Sequence, residues 1–403
     1  MSSPAMPRDM PNSGSHSLLG NSNPLTPPSS PKHFKSSSNL REENFGSLEA
    51  RRLSLTTHET VSYTDDSIII CPFEVQYLKD QNDQSQIFGH GAWSTVYKAT
   101  CHRKSPASCG LLTPPPTPTQ APPILVAVKA PARKDALPIL RSEAQSLSRL
   151  MLLDPNEERV VTFHGILEND TSLVLTAHFL SLENHIKSCA ETAQHLTSRE
   201  NLIAPVIGSV TVWLDLADKL ISSLDWLHNE AMTVHGDLKP GNILLKPSIN
   251  SDSFPYQPLL IDFSSSQNRA TEAITMNTLS AITLEYTAPE LLSVKVLNDP
   301  TSSATTASDV FSMAVTLLAA ATGEVMVYPR EYNAFQRRHF AQSGHLILSN
   351  ARNFSTRLPR QGVVSRLLEK AVLKHDMGRI TTGAWQQLVE DLTVDMDQRK
   401  PKI

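Results

Sequence analysis

His235-Gly236-Asp237-Leu238-Lys239-Pro240-Gly241-Asn242 sets a carboxylate, an amine and a carboxamide at fixed offsets within one short loop. Phosphoryl transfer needs such a set: a group that orients the attacking hydroxyl, a cation for the moving phosphoryl group and a ligand for a metal ion. Upstream of the loop, Leu214, Ala217, Ile221, Leu224 and Leu227 recur at helical spacing, which predicts a helix packed on a core. Downstream, Leu259-Leu260-Ile261-Asp262-Phe263-Ser264 reads as a strand that ends on a carboxylate. Between them, Pro247 to Pro258 reads as a polar insertion.

The bulk numbers bound what such a loop can belong to. A chain of 403 residues with a 40% hydrophobic fraction has room for one large bilobal domain or two ordinary ones. A net charge of -4 argues against a nucleic-acid partner held by bulk charge. Cys71, Cys101, Cys109 and Cys189 are few and scattered, with no C-x-x-C pair, so neither zinc nor a disulfide framework is expected. Met1 to Gly20 lacks an apolar h-region. The apolar run from Val310 to Thr322 is interrupted by Ser and Thr and is too short for a bilayer. The expectation is a soluble protein of the cytoplasm or nucleus with no membrane partner.

Residues 1–65 are dominated by Ser, Pro, Asn, Thr and charge, too polar to offset the entropy of ordering, and are expected to be a disordered tail. The tail carries Thr26-Pro27, Ser30-Pro31 and Arg51-Arg52-Leu53-Ser54, which suit regulatory kinases, although ordinary disordered composition explains them as well. Order is expected from Ser67-Ile68-Ile69-Ile70. Apolar residues flank the glycines of Ile87 to Ala99, which predicts a hairpin. Cys101 to Pro123 contains Thr113-Pro114-Pro115-Pro116-Thr117-Pro118 and reads as a loop insert between strands. Ile124 to Lys129 reads as a buried strand, and Leu137 to Met151 as a helix with Leu140, Ala144, Leu147 and Leu150 on one face. Further strands are expected over Val160–Phe163 and Ser172–Ala177. Further helices are expected over Asp309–Ala321, Val363–Leu373 and Ala384–Leu392. A strand-rich part thus precedes a helix-rich part.

Five loop positions, His235, Asp237, Lys239, Pro240 and Asn242, match H-R-D-L-K-P-x-N, and with this order of elements the chain resembles the eukaryotic protein kinase family over about 85–395. The resemblance implies an α+β bilobal fold: an N-lobe of about 66–178, with one helix beside its sheet, and a helical C-lobe of about 179–398. Gly89-x-Gly91-x-x-Ser94-x-Val96 resembles the glycine-rich loop over ATP phosphates, although a plain hairpin turn would also use these glycines. Lys129 matches the lysine that binds the α- and β-phosphates, and Glu143, otherwise a solvated helix charge, would be its partner. Val96, Ala127 and Leu244 would wall the adenine slot, with Leu175 as gatekeeper and backbone groups at Thr176 and His178 on the adenine edge.

In the loop itself, the resemblance makes Asp237 the group that orients the substrate hydroxyl and Lys239 the neighbour of the γ-phosphate. Asn242 and Asp262 would ligate Mg2+, while His235 would be structural. Thr283, in Thr283-Leu284-Glu285-Tyr286-Thr287-Ala288-Pro289-Glu290, fits the Ser/Thr-kinase position that bonds the catalytic Asp and Lys. Asp309 would hold the catalytic-loop backbone, and Arg379 would pair with Glu290. The implied activity is transfer of the ATP γ-phosphate to Ser/Thr hydroxyls of proteins. A pseudokinase scaffold is the alternative, raised by Gly236, Ser264, Ser94, Ile282 and the Pro-rich insert. A small-molecule kinase is disfavoured by Lys239 and Ala288-Pro289-Glu290. Gly236 stands where the family usually has Arg, the cation for an activation-loop phosphate, so activity without activation-loop phosphorylation is expected.

Overall fold

The computed structural model describes residues 68–103, 123–156, 158–169, 171–195, 203–248, 253–270, 283–299, 301–328 and 333–399. All of them fall within the unit Ser62–Ile403. The tail with Thr26, Ser30 and Ser54, most of the Pro-rich insert, and Ile282 lie outside the described residues.

Strands β1 (Phe73–Tyr77), β2 (Ile87–His90), β3 (Ser94–Arg103), β4 (Ile124–Pro131), β5 (Phe163–Ile166) and β6 (Leu173–Thr176) form an antiparallel sheet in the order β1-β3-β4-β6-β5, with β2 also on β3. Residues just before β1 join its far edge: Cys71 N–H donates to Ile166 O and Ile166 N–H to Ile69 O, each at 2.9 Å. Helix α1 (Leu137–Leu153) starts on Pro138, whose missing N–H costs nothing at a helix start. Its buried residues Leu140, Glu143, Ala144, Leu147, Ser148 and Leu150 follow the 3.6-residue period.

Ala177–Ser181 lead from the sheet into helix α2 (Leu182–Ala193), which the Ser181 hydroxyl caps. The helical part is built on α3 (Val210–Asn229) and α5 (Thr306–Thr322). α5 is buried nearly all round, opens on a Thr305–Ser308 capping box and stops at Gly323, whose φ of 83° favours glycine. Between α3 and α5 lie the short pairs β7 (Thr233–Val234) with β10 (Gln267–Asn268) and β8 (Ile243–Pro247) with β9 (Tyr256–Leu260), then the single-turn α4 (Val294–Leu297). Helices α6 (Ala334–Gln342), α7 (Ile347–Arg352), α8 (Val363–Leu368) and α9 (Thr382–Arg399) complete the chain. One core cluster runs from Leu140 and Leu147 on α1 through α3 and α5 to Trp385 on α9. Among the described residues no helix is long and apolar enough to cross a membrane.

Several expected boundaries move, each for a visible reason. The strand expected over Val160–Phe163 begins only at Phe163. The Asp154 carboxylate takes the N–H groups of Arg159 and Val160 (2.9 and 3.2 Å), and Val160 bridges to Leu260 instead of joining the sheet. Cys101 belongs to β3, so the insert starts after Arg103. Pro247 and Pro258 are ladder residues of β8 and β9, tolerated because each strand of a two-stranded sheet is an edge, so the insertion shrinks to 248–255. The helix expected over Val363–Leu373 ends at Leu368, and Ala371 and Val372 bury through turns.

Candidate active site

Strand alternation decides which residues of β4 face the cleft. Val126 and Val128 point into the sheet's own small core, so Ala127 and Lys129 take the opposite face. Helical periodicity puts Glu143 on the buried face of α1. The two meet: Lys129 Nζ donates to both Glu143 oxygens at 2.7 Å and to Asp262 Oδ1 at 2.7 Å. Burial opposes the charge on Lys129, but Asp262 and Glu143 outweigh it and hold the ammonium well above the usual lysine range. Burial likewise opposes ionisation of Asp262, yet Lys129 and the Ser264 hydroxyl hold its carboxyl well below the usual carboxylate range. Ser264, which replaces a glycine of the family pattern, thus bonds the carboxylate beside it. Asp262 sits at φ 62°, a left-handed conformation that aspartate tolerates better than most residues.

The loop 235–242 hangs on Asp309. This carboxylate lies in the first turn of α5, where the helix dipole favours negative charge, and it is buried. It accepts the His235 N–H (2.7 Å), the Gly236 N–H (3.0 Å) and His228 Nε2 (3.0 Å). The His235 ring packs on Phe263 with centroids 4.8 Å apart and planes tilted by 43°, and its Nε2 lies 3.0 Å from Ile261 O. Asp237 Oδ2 accepts from Lys239 Nζ (2.5 Å) and Asn242 Nδ2 (3.1 Å), and its Oδ1 accepts from the Thr283 hydroxyl (3.2 Å). Lys239 also donates to Thr283 Oγ1 at 2.9 Å. The residues named from the sequence thus form two bonded sets, Lys129 with Glu143 and Asp262, and Asp237 with Lys239, Asn242 and Thr283, and the Ile261 N–H to Asn242 O bond at 3.1 Å ties their backbones together. His228 was missed; a histidine in the last turn of a helix carries no local signal of a buried partner 81 residues away.

Above the loop, the sheet register aligns the slot. Val96 lies between Gly89 on β2 and Lys129 on β4, and Ala127 lies between Lys98 and Leu175. Leu244 bridges to Ser181 at the connection between sheet and helices. The Thr176 N–H is committed to Thr162 O at 2.9 Å, and the Ala177 N–H to Leu125 O at 3.3 Å, which removes both as donors to an adenine edge. That narrows the expectation for Thr176, and His178 remains on the segment leading out of the slot. Phe88, beside Gly89, meets the exposed Phe179 at 5.6 Å, with Lys98 Nζ 5.2 Å from the Phe88 centroid. This aromatic contact joins the glycine hairpin to the connecting segment; single aromatics in the sequence gave no hint of it.

Arg379 and Glu290 form a two-pronged pair, Nη1–Oε1 and Nη2–Oε2 both at 2.6 Å, and Arg379 also donates to Ala307 O and Leu373 O. The Arg379 side chain is 1% exposed. Removing it takes the cation from Glu290, which water reaches in part, and the donor from two carbonyls, so Arg379→Ala is expected to cost about 3 kcal/mol of stability, the low end for a buried pair. Melting temperature checks this: it should fall well below wild type while nucleotide affinity of the folded fraction stays the same, and an unchanged melting temperature would remove the structural role.

The residues present fit magnesium and a nucleoside triphosphate. Asp262 is an ionised oxygen donor, and because the Asn242 amide nitrogen faces Asp237, its amide oxygen is left to offer a cation. Among the described residues no group of three or more His, Cys, Asp or Glu side chains could hold a metal ion. A Cβ on Gly89 would meet nothing within 4 Å, so the backbone of the hairpin is open at that point.

A family model described as the protein kinase domain matches residues 124–392, about two thirds of the chain. The glycine hairpin precedes that match, but the register of β3 on β4 ties it to Lys129. Ribosomal protein S6 kinase alpha-4 of Mus musculus is 33% identical over 107 residues, 26% of this chain and 12% of that protein. The chain therefore spans only about an eighth of that relative's length in the match.

Proposed function

The chain belongs to the protein kinase domain family, and from that premise we propose that it is an active Ser/Thr protein kinase using Mg-ATP. The observation that carries this reading is the pair of fully bonded sets, Glu143 with Lys129 and Asp262, and Asp237 with Lys239 and Thr283. Phosphoryl transfer needs every one of these groups and a scaffold needs none of them, and here each is present with its charge partnered. Bound Mg-ATP supplies the transferable phosphoryl group and the neutralising cation. Asp237 orients the substrate hydroxyl and takes its proton, and Lys239 holds the carboxylate in place and offers charge to the moving phosphoryl group. Lys129 is fixed by Glu143 for a phosphate, which spares reorganisation at the moment of transfer. Thr283 bonding to both Asp237 and Lys239, and the S6-kinase likeness, support hydroxyl acceptors of the Ser/Thr kind.

The test is transfer of labelled phosphate from ATP with Mg2+ to generic Ser/Thr peptides, with Asp237→Asn as control. Transfer above the control is expected; nucleotide binding without such transfer would support the scaffold.

A pH dependence follows from the same geometry. Burial pushes the Asp237 carboxyl above the usual aspartate range, and Lys239 pulls it back only in part. The group must be ionised to accept a proton, so kcat is expected to fall on the acid side at a higher pH than an ordinary aspartate would give. Lys239→Met removes the opposing cation and should move that acid limb to still higher pH. A pH profile of kcat for both proteins reads this directly; coincident limbs would show that Asp237 is not the titrating group.

A further inference from the structure

We propose that the groove between α3 and α9, remote from the catalytic loop, docks a basic linear segment of a partner protein that carries apolar anchor residues. α3 and α9 run antiparallel. The start of α9 meets the end of α3, where Thr382 Oγ1 donates to Asp225 Oδ1 at 2.6 Å. The later turns of α9 therefore face the first turns of α3 and leave a groove of about 460 Å³. Leu214 and Val389 form its floor, and Val394, 54% exposed, stands at its rim. An exposed valine above buried apolar residues is surface that water covers at a cost and a partner's side chain would cover with a gain.

The rim is acidic. Asp215 and Asp218 project from successive positions of one α3 face, and Glu390 stands opposite them on α9. The chain's own cation here, Lys219, is committed: it bonds Asp215 at 3.0 Å and the carbonyls of Phe254 and Tyr256 at 3.1 and 3.2 Å. Asp218 makes no ion pair among the described residues. Burial first, then Asp215 and Glu390, push its carboxyl above the usual range, with Lys219 opposing. Like charges crowded round an apolar floor oppose one another in the free protein, and arginine or lysine from a partner relieves them while steering its approach.

The third edge is fixed rather than loose, because the Phe254 N–H donates to Asp215 Oδ2 at 2.9 Å and ties the segment before β9 to the groove. Ten residues of α3 separate Asp218 from His228, which bonds Asp309 beside the catalytic loop, so the groove lies roughly 15 Å along the helix from that site. A partner held there keeps a separate phosphoacceptor within reach of a short linker. The groove itself does not depend on the kinase being active.

The test uses the full chain and a fluorescein-labelled dodecapeptide of repeated Arg-Arg-Leu units without Ser, Thr or Tyr, read by fluorescence anisotropy. Saturable one-to-one binding is expected, unchanged by an excess of a non-hydrolysable ATP analogue. Asp218→Asn with Glu390→Gln should weaken it at least about tenfold, the loss of roughly one charged contact. Val394→Asp should do the same, and since residue 394 is exposed this variant keeps the fold, which a melting curve verifies. Replacing every Leu of the peptide by Ser should also weaken binding to wild type. Equal affinity for both variants, or for the Leu-free peptide, would overturn the proposal in favour of a general charge effect. Sedimentation showing self-association that Val394→Asp abolishes would overturn it in favour of a second copy of this chain. Each readout is independent of phosphoryl transfer, so an inactive enzyme that still binds the peptide separates this inference from the kinase reading.

Discussion

Asp237→Asn is expected to lower kcat by about a thousandfold, within the range of 10²–10⁴ that a positioned general base contributes, while nucleotide affinity changes little. Asparagine keeps the shape but only one of the two oxygens that Thr283 and Asn242 donate to, while the Asn242 bond to the backbone oxygen of residue 237 persists. It cannot take a proton, and it removes the charge that Lys239 Nζ meets at 2.5 Å. Lys239 would then lose its charged partner and be held by Thr283, out of the position proposed for it beside the γ-phosphate. Steady-state rates with a Ser/Thr peptide, set beside nucleotide binding measured by titration, separate the two effects. A variant retaining more than a tenth of wild-type kcat would sink the assigned role. Loss of nucleotide binding in parallel would instead mean that the substitution had disturbed Asp262.

What the sequence makes legible here is chemistry held by short spacing. Asp237, Lys239 and Asn242 share one loop, and Asp262 and Thr283 sit beside recognisable neighbours, so their meeting needed only the order of elements. Glu143 was legible because it is the only glutamate between Lys129 and Glu157 and lies on the expected helix, although its burial was not. Long-range satisfaction of buried groups was not. His228 bonding Asp309, Lys219 reaching two carbonyls of the β9 approach, and Phe88 meeting Phe179 join residues whose sequence separation carries no pattern. Strand ends failed for a related reason. Val160 and Val161 are apolar enough for a strand, yet Asp154 takes the neighbouring backbone donors and turns the chain toward Leu260. Periodicity reports which face is buried, but not which distant side chain claims the backbone.

Gly236→Arg, which would restore the residue usual in the family, is expected to reduce kcat/KM by about a hundredfold or more, the scale at which a 1 Å misplacement acts. Gly236 has φ +82°, and a Cβ built on it would lie 2.5 Å from Ser265 O and 3.3 Å from Ser265 Cβ. Neither side can yield cheaply. The Gly236 N–H is held by Asp309 at 3.0 Å. The Ser265 segment is held by Ser266, whose hydroxyl bonds Phe263 O and meets Ser146 Oγ on α1, and by Gln267 pairing with Val234. Pushing Ser265 away shifts the turn Phe263–Ser265, and with it Asp262 on one side and α1 with Glu143 on the other. Gly236→Ala isolates the Cβ and should show most of the loss without any new charge. On this account the missing arginine reflects a loop closed by backbone contact, so phosphatase treatment should leave wild-type activity intact. The stretch between Ser264 and Thr283 is where such a phosphosite would map, and its residues 271–282 lie outside the described residues. A Gly236→Arg protein with near wild-type activity that falls on phosphatase treatment would show that the loop has room for the cation after all.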